Sequence, residues 1–261
     1  MRASVAHAFG FVAMVGTALI LVSCGGGGGD DYNDYEQPGA NTQGIWRGSV
    51  VLDGQDLGLL VGMIAESGRA NLILYSGDSQ LRGDVWSSGT TIDTSSSGLS
   101  LFGTWGDLSG VYYCLDGTVS PNSTLTANLT ESTETRMLSL NLTYDALYDR
   151  PASFSRISGR WTISDPSGFH REWIIDSSGG MSGSDSYGCI YQGQVAIPNS
   201  SHNLYDMSYQ ITGCYPVTVG VRGQAILDDT DSLEDTLLAA GTGQTGPFSS
   251  TSFVDRLRRE P

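Results

Sequence analysis

From Val217 to Leu227 the chain alternates. Val217, Val219, Val221, Gly223, Ala225 and Leu227 fall on one face of an extended strand; Thr218, Gly220, Arg222, Gln224 and Ile226 fall on the other. A period of two marks a strand with one buried face, and no long stretch shows the i, i+3, i+4, i+7 spacing of an amphipathic helix. With Thr218–Leu227, the same logic gives Arg160–Ser164, Arg171–Asp176, Gly180–Asp185, Cys189–Ile197, Leu204–Thr212, Thr236–Gly241 and Ser249–Leu257 as strands. Turn-forming runs separate them: Asp165-Pro-Ser-Gly168, Ser177-Ser-Gly-Gly180, Asp228-Asp229-Thr230-Asp231 and Gly241-Thr-Gly-Gln-Thr-Gly-Pro247. Short sequential strands with tight turns predict an antiparallel meander closing as a small barrel.

The pattern carries a duplication. Gly44-Ile45-Trp46-Arg47-Gly48 opens one unit and Ser158-Gly159-Arg160-Trp161-Thr162 another. Ala152-Ser-Phe-Ser-Arg156-Ile157 closes the first and Thr251-Ser-Phe-Val-Asp-Arg256-Leu257 the second. Internal similarity of this kind points to tandem units. The expected architecture is therefore all-β, with two antiparallel meander barrels at 44–157 and 158–261. A Trp near the first strand and an Arg near the last resemble the calycin pattern of lipocalins and avidin-like barrels. That resemblance implies barrel-closing pairs of Trp46 with Arg156 and Trp161 with Arg256, each a cation–π contact of about 0.5–2 kcal/mol.

The N-terminus sets an address. Arg2 precedes an apolar run, Phe9 to Val22, too short to be a spanning helix. Leu21-Val22-Ser23-Cys24 then resembles a bacterial lipobox. The resemblance implies a signal peptide over 1–23, cleavage before Cys24, and diacylglycerol and N-acyl lipid on that cysteine. Gly25 in place of Asp implies the outer membrane, on the enterobacterial sorting rule. Residues 24–43 are expected to be a disordered tether, five glycines followed by Asp30-Asp-Tyr-Asn-Asp-Tyr-Glu36. Its r.m.s. reach would be roughly 25 Å. The chain also resembles glycine-tethered proteobacterial lipoproteins of unknown function, through Gly188-Cys-Ile-Tyr-Gln-Gly193.

With Cys24 lipidated, Cys114, Cys189 and Cys214 remain. An exported chain meets an oxidising compartment. Folding Cys189–Ile197 onto Leu204–Thr212 about the turn Pro198–Asn203 brings Cys189 nearly opposite Cys214, so these two are expected to pair. Cys114 is left over and is expected to be a buried core thiol.

Charge excludes further classes. The chain holds 13 Arg, no Lys and 28 acidic residues, a net charge of −15. Such a surface repels phosphate backbones, so no nucleic-acid partner is expected. Without Lys there is neither Schiff-base chemistry nor a P-loop lysine. Gly77-Asp78-Ser79-Gln80-Leu81 resembles the nucleophile block of Gly-Asp-Ser-Leu esterases, but neither His170 nor His202 has the Asp three residues earlier that the family needs. A polar hairpin turn is the better account. The two histidines are expected at exposed turns, with no zinc site. Asp228-Asp229-Thr-Asp231-Ser-Leu-Glu234-Asp235 lacks the order of a known calcium loop and is expected to be a solvated hairpin tip.

These features predict a non-enzymatic outer-membrane lipoprotein with no cofactor beyond its covalent lipid. It would touch the membrane through the anchor and bind a small apolar ligand in a barrel mouth, a glycan, or an envelope protein. The alternatives are a structural accessory without a pocket, and a barrel-type protease inhibitor.

Overall fold

The computed structural model describes residues 41–74, 79–92, 97–102, 112–131, 137–214, 217–229, 232–246 and 249–260. Cys24 and the segment up to residue 40 lie outside them. The first half forms β1 (Gly44–Leu52), β2 (Gln55–Ile64), β3 (Arg69–Leu74), β4 (Gln80–Asp84), β5 (Ser87–Ser88), β6 (Thr91–Ile92), β7 (Gly98–Phe102), β8 (Tyr112–Ser120), β9 (Thr124–Glu131) and β10 (Met137–Asp145). Strands β1, β2, β3, β4, β7, β8, β9 and β10 pair in that order, and β10 returns to β1, closing an eight-stranded antiparallel barrel. The β5–β6 hairpin hangs on β8 through Thr91 and Thr118. A 3-10 turn (Ala146–Asp149) and helix α1 (Phe154–Ile157) lead to the second half.

That half is β11 (Gly159–Ser164), β12 (His170–Ile175), β13 (Gly180–Asp185), β14 (Ile190–Ala196), β15 (Tyr205–Thr212), β16 (Val219–Asp228), β17 (Thr236–Gly246) and β18 (Ser249–Arg259). They form a second closed barrel in strict chain order. All eight strands read from the alternation are present. One turn is not: Gly241–Pro247 was expected to be a loop, yet β17 runs to Gly246. Its glycines lie inside the ladder. A Cβ on Gly241 would stand 2.5 Å from a ring carbon of Phe253. The glycine makes room for an aromatic side chain rather than turning the chain.

Alternation fills each interior. In β9 and β10, Leu125, Ala127, Leu129, Leu138, Leu140 and Leu142 point in, while Thr124, Thr126, Asn128, Asn141 and Thr143 are exposed. The second core holds Trp173, Tyr191, Tyr209 and Phe253 in edge and tilted contacts 5.5 to 6.3 Å apart. Large rings opposite glycines are how a small barrel is packed to its axis.

The two openings are built alike. Gly44 and Gly159 take φ of 151° and 139°, which turns the chain into the barrel wall. Two residues later, each Trp is fully buried and its indole N–H donates to the carbonyl four residues back, Thr42 for Trp46 and Ile157 for Trp161, both at 2.8 Å. The closing segments are not alike. Phe154–Ile157 is helix, and Ala152 and Ile157 join the core of the second barrel, whereas Thr251–Leu257 lies in strand β18. The true last strand of the first barrel is β10.

The barrels stand side by side. Strands β2 and β3 of one pack on β16 and β17 of the other through Val61, Met63, Ile73, Ile226, Leu238 and Ala240. Ile226, read as outward-facing from the alternation, is fully buried in this seam. Polar contacts run along it in order: Glu66 with His202 at 3.6 Å, Arg69 with Asp206 at 3.5 Å, Asn71 with Gln224 at 2.5 Å, and Gln80 with the Gly241 carbonyl at 2.7 Å. Each pair matches turn with turn and strand with strand. The Trp46 and Trp161 ends therefore lie on the same side, as does Thr42, from which the N-terminal segment departs.

Candidate functional site

Among the described residues, large buried side chains occupy both barrel interiors. Trp46, Tyr113 and the leucines fill the first, and Trp161, Trp173, Tyr191, Tyr205 and Tyr209 fill the second. The arginine over Trp161 is Arg259, 4.2 Å from the ring, not Arg256. The reason is the strand period. Phe253, Asp255, Leu257 and Arg259 share the inward side of β18, so Arg256 faces out. Arg259 also donates to the carbonyls of Ser158, at 2.9 Å, and Arg156, capping α1. Among the described residues no arginine lies over Trp46 in this way. Its ring meets the edge of Tyr144 at 5.5 Å, and Arg156 instead pairs with Glu234 and the Pro151 carbonyl at the second barrel.

The far end of the second barrel has a charged floor. Arg171 on β12 places one guanidinium nitrogen 2.6 Å from each oxygen of Asp255 and another 3.6 Å from Asp185. It stacks 5.1 Å from both Phe169 and Tyr191. Burial opposes the Arg171 charge, but the facing Asp255 and Tyr191 outweigh it and push the pKa up. Burial, and then the 2.5 Å bond to Asp185, push the Tyr191 hydroxyl up as well. These charges pair with one another within the protein.

Other expected sites fall as follows. Cys189 and Cys214 are joined, with Cα atoms 4.7 Å apart. Cys114 is no core thiol. It is half-buried on the outer side of β8, between inward Tyr113 and Leu115. Ser79 is buried, and no hydrogen-bond partner activates its hydroxyl among the described residues. His170 is exposed, but His202 stacks on Tyr148 at 4.2 Å, because its turn is pressed against the linker. No group of three potential metal ligands occurs among the described residues.

The acidic stretch is a hairpin tip between β16 and β17, exposed at Asp229, Ser232 and Leu233 as expected, but several of its acids are paired. Asp228 is buried and bonds Arg47 across the seam at 2.8 Å; Asp229 takes both arms of Arg150; Glu234 meets Arg156; Asp235 meets Arg258 at 2.7 Å. A polar groove of about 600 Å3 runs between Arg47, Asp145, Arg150, Asp228 and Asp229. Every charged group lining it already has a partner in the protein.

Neither a protein-family model nor a curated protein matches the chain. Among solved structures, a proposed outer membrane protein of Bacteroides fragilis aligns with 84% of this chain and 97% of its own, at 9% identity and a TM-score of 0.30. Transferrin binding protein B of Neisseria meningitidis aligns over 77% of this chain and 52% of its own, at 11% identity and a TM-score of 0.32. A protein of unknown function from Nostoc punctiforme covers 84% and 97%, at 12% identity and a TM-score of 0.25. None of the three carries a residue or a function over to this chain.

Proposed function

We propose that the chain is a lipid-anchored envelope protein that works without catalysis, meeting a macromolecular partner on its outer surface. The observation that carries this is the filling of both barrels by their own side chains. A ligand site needs a concave chamber with a few unspent polar groups. Here the interiors are packed and the charged clusters are internally paired. That favours a binding or scaffolding body over a carrier of small apolar molecules.

Two measurements test it. A fluorescent fatty acid titrated into purified, delipidated protein should show no saturable binding. Tight stoichiometric uptake would overturn the surface-binding account, and ester hydrolysis abolished by Ser79→Ala would overturn the non-enzymatic one. In cells, Cys24→Ser should move the folded protein from the membrane to the soluble fraction. Retention on the membrane would sink the lipid-anchor part.

A further inference from the structure

Three hairpin turns of the second barrel share one design. Asp165, Asp176 and Asp185 each accept, through one carboxylate oxygen, the N–H groups two and four residues ahead, at 2.7 to 3.2 Å. A glycine follows at the fourth position in each, with φ of 93°, 87° and 83°. In the first two turns the residue two after the Asp is serine, and its hydroxyl closes on the same carboxylate at 2.5 and 2.6 Å. In the third that position is Tyr187. It makes no such bond, and it is 73% exposed. Turn chemistry asks for a small hydroxyl there. The Tyr187 ring takes no part in the hydrogen bonds of the turn.

The turn that carries the ring is braced. Asp185 below it is buried and takes the Tyr191 hydroxyl on its second oxygen. Cys189, two residues on, is tied to Cys214. Phe169 packs against Tyr187 at 5.3 Å and rests on Arg171. Ile190, 50% exposed, follows at once, and Val217, 49% exposed, lies three positions after Cys214. Exposed aromatic and aliphatic groups on a rigid base are the make-up of an interface anchor, because little side-chain entropy remains to be lost.

We infer that this rim, centred on Tyr187, docks a protein partner that presents an apolar pocket edged by basic residues. Charge selects the partner. The chain has more than twice as many acids as bases. Arg47, Arg69, Arg150, Arg156, Arg160, Arg171 and Arg258 are already committed to carboxylates within the protein. The outward field is therefore negative, which repels a second copy and anionic lipid and attracts a cation-edged protein. Position agrees. The rim is at the end opposite Thr42, so on the anchored reading it points away from the membrane.

The inference rests on that reading for its orientation, and the test separates the two. A photo-crosslinking amino acid is placed at Tyr187 or Val217 in intact cells. A third variant carries it at Leu233, 71% exposed at the tether end. Tyr187 and Val217 should give one discrete protein adduct and Leu233 should not. Tyr187→Ser, which restores the sister-turn residue, should keep the thermal midpoint while cutting the Val217 adduct about tenfold, the loss of one interface anchor. Equal yields at Leu233, adducts of lipid, glycan or a second copy, no adduct at any position, or an unchanged yield in Tyr187→Ser would each overturn the inference. Repeating the Tyr187 and Leu233 labelling in Cys24→Ser shows which idea fails. Membrane retention of that variant removes the anchor alone and leaves the positional contrast standing.

Discussion

The latch on Trp161 gives the sharpest test of how the second barrel is closed. Arg259 lies over the indole at 4.2 Å and donates to the carbonyls of Ser158, Arg156 and Glu234. Arg259→Ala removes a cation–π contact of about 0.5–2 kcal/mol. It also removes charged-donor hydrogen bonds of about 1.5–3 kcal/mol each, offset where water reaches the freed carbonyl. With one carbonyl left dry and the others rehydrated, the loss is roughly 3–4 kcal/mol. For a body of this size that lowers the thermal midpoint by roughly 6–15 °C. Arg259→Lys keeps a cation but cannot bridge several carbonyls at once, so it should recover only part of the loss. Arg256→Ala removes an outward side chain of the same strand and should cost less than about 1 kcal/mol. Urea unfolding followed by tryptophan fluorescence measures all three. If Arg256→Ala matched Arg259→Ala, or Arg259→Ala matched the wild type, the assignment of the latch would be wrong.

Replacing Cys189 and Cys214 together by serine opens a link across 25 residues and should lower the unfolding free energy by about 3 kcal/mol, with a loss below about 1 kcal/mol speaking against a native constraint. Gln224→Leu strands the Asn71 amide in the seam at a cost of about 1–3 kcal/mol. Adding Asn71→Leu should restore most of it, and a double-mutant cycle that came out additive would show that the seam is not closed as described. Two carboxylates should respond to pH with opposite signs. The Ser167 hydroxyl and nearby N–H groups hold Asp165 below the usual carboxylate range. Its folded pKa is thus under the unfolded one, so its contribution is present at neutral pH and is lost as pH falls through the folded pKa. Burial pushes Asp206 up against the pull of Arg69, so its charge costs stability as pH rises through the folded pKa. Asp165→Asn should therefore lose stability at neutral pH relative to acid, and Asp206→Asn should gain. Urea midpoints below and above the carboxylate range that shifted in the same direction would contradict the assignment.

Strands were legible because alternation is a local signal. Thr218–Leu227 differs from β16 by one residue at each end, and the Gly-x-Trp openings showed where each barrel begins. What escaped was tertiary. Leu72-Ile73-Leu74 and Ala225-Ile226-Leu227 are apolar without interruption because both faces are covered, one by a barrel core and one by the seam. An unbroken run of three cannot say which second surface covers it. The pairing of Asp228 and Asp229 escaped because their arginines, 47 and 150, lie far away in sequence. Spacing from the Ser-Phe pair points to Arg256, whereas the inward parity of β18 brings Arg259 over the ring. That parity was available in Phe253, Asp255 and Leu257.

Closing both sheets has a consequence for what such a body can do. A closed barrel has no free edge to recruit a strand, and among the described residues large buried side chains occupy both interiors. Binding is left to outer faces and hairpin tips. Most of the outer faces are threonine, serine, asparagine and glutamine, as on Thr124–Asn128 or Gln192–Gln194, and such residues keep a sheet soluble without selecting a partner. The tips differ from one another by single substitutions on a shared frame. At Asp165 and Asp176 the frame is completed by serine; at Asp185 it is completed by the disulfide and by Tyr191, and the freed position carries Tyr187. The extra bracing sits under the one tip whose turn residue does not help the turn. Stability and recognition are thereby assigned to different atoms of the same five residues, which is why Tyr187→Ser should spare the fold while Asp185→Asn should not.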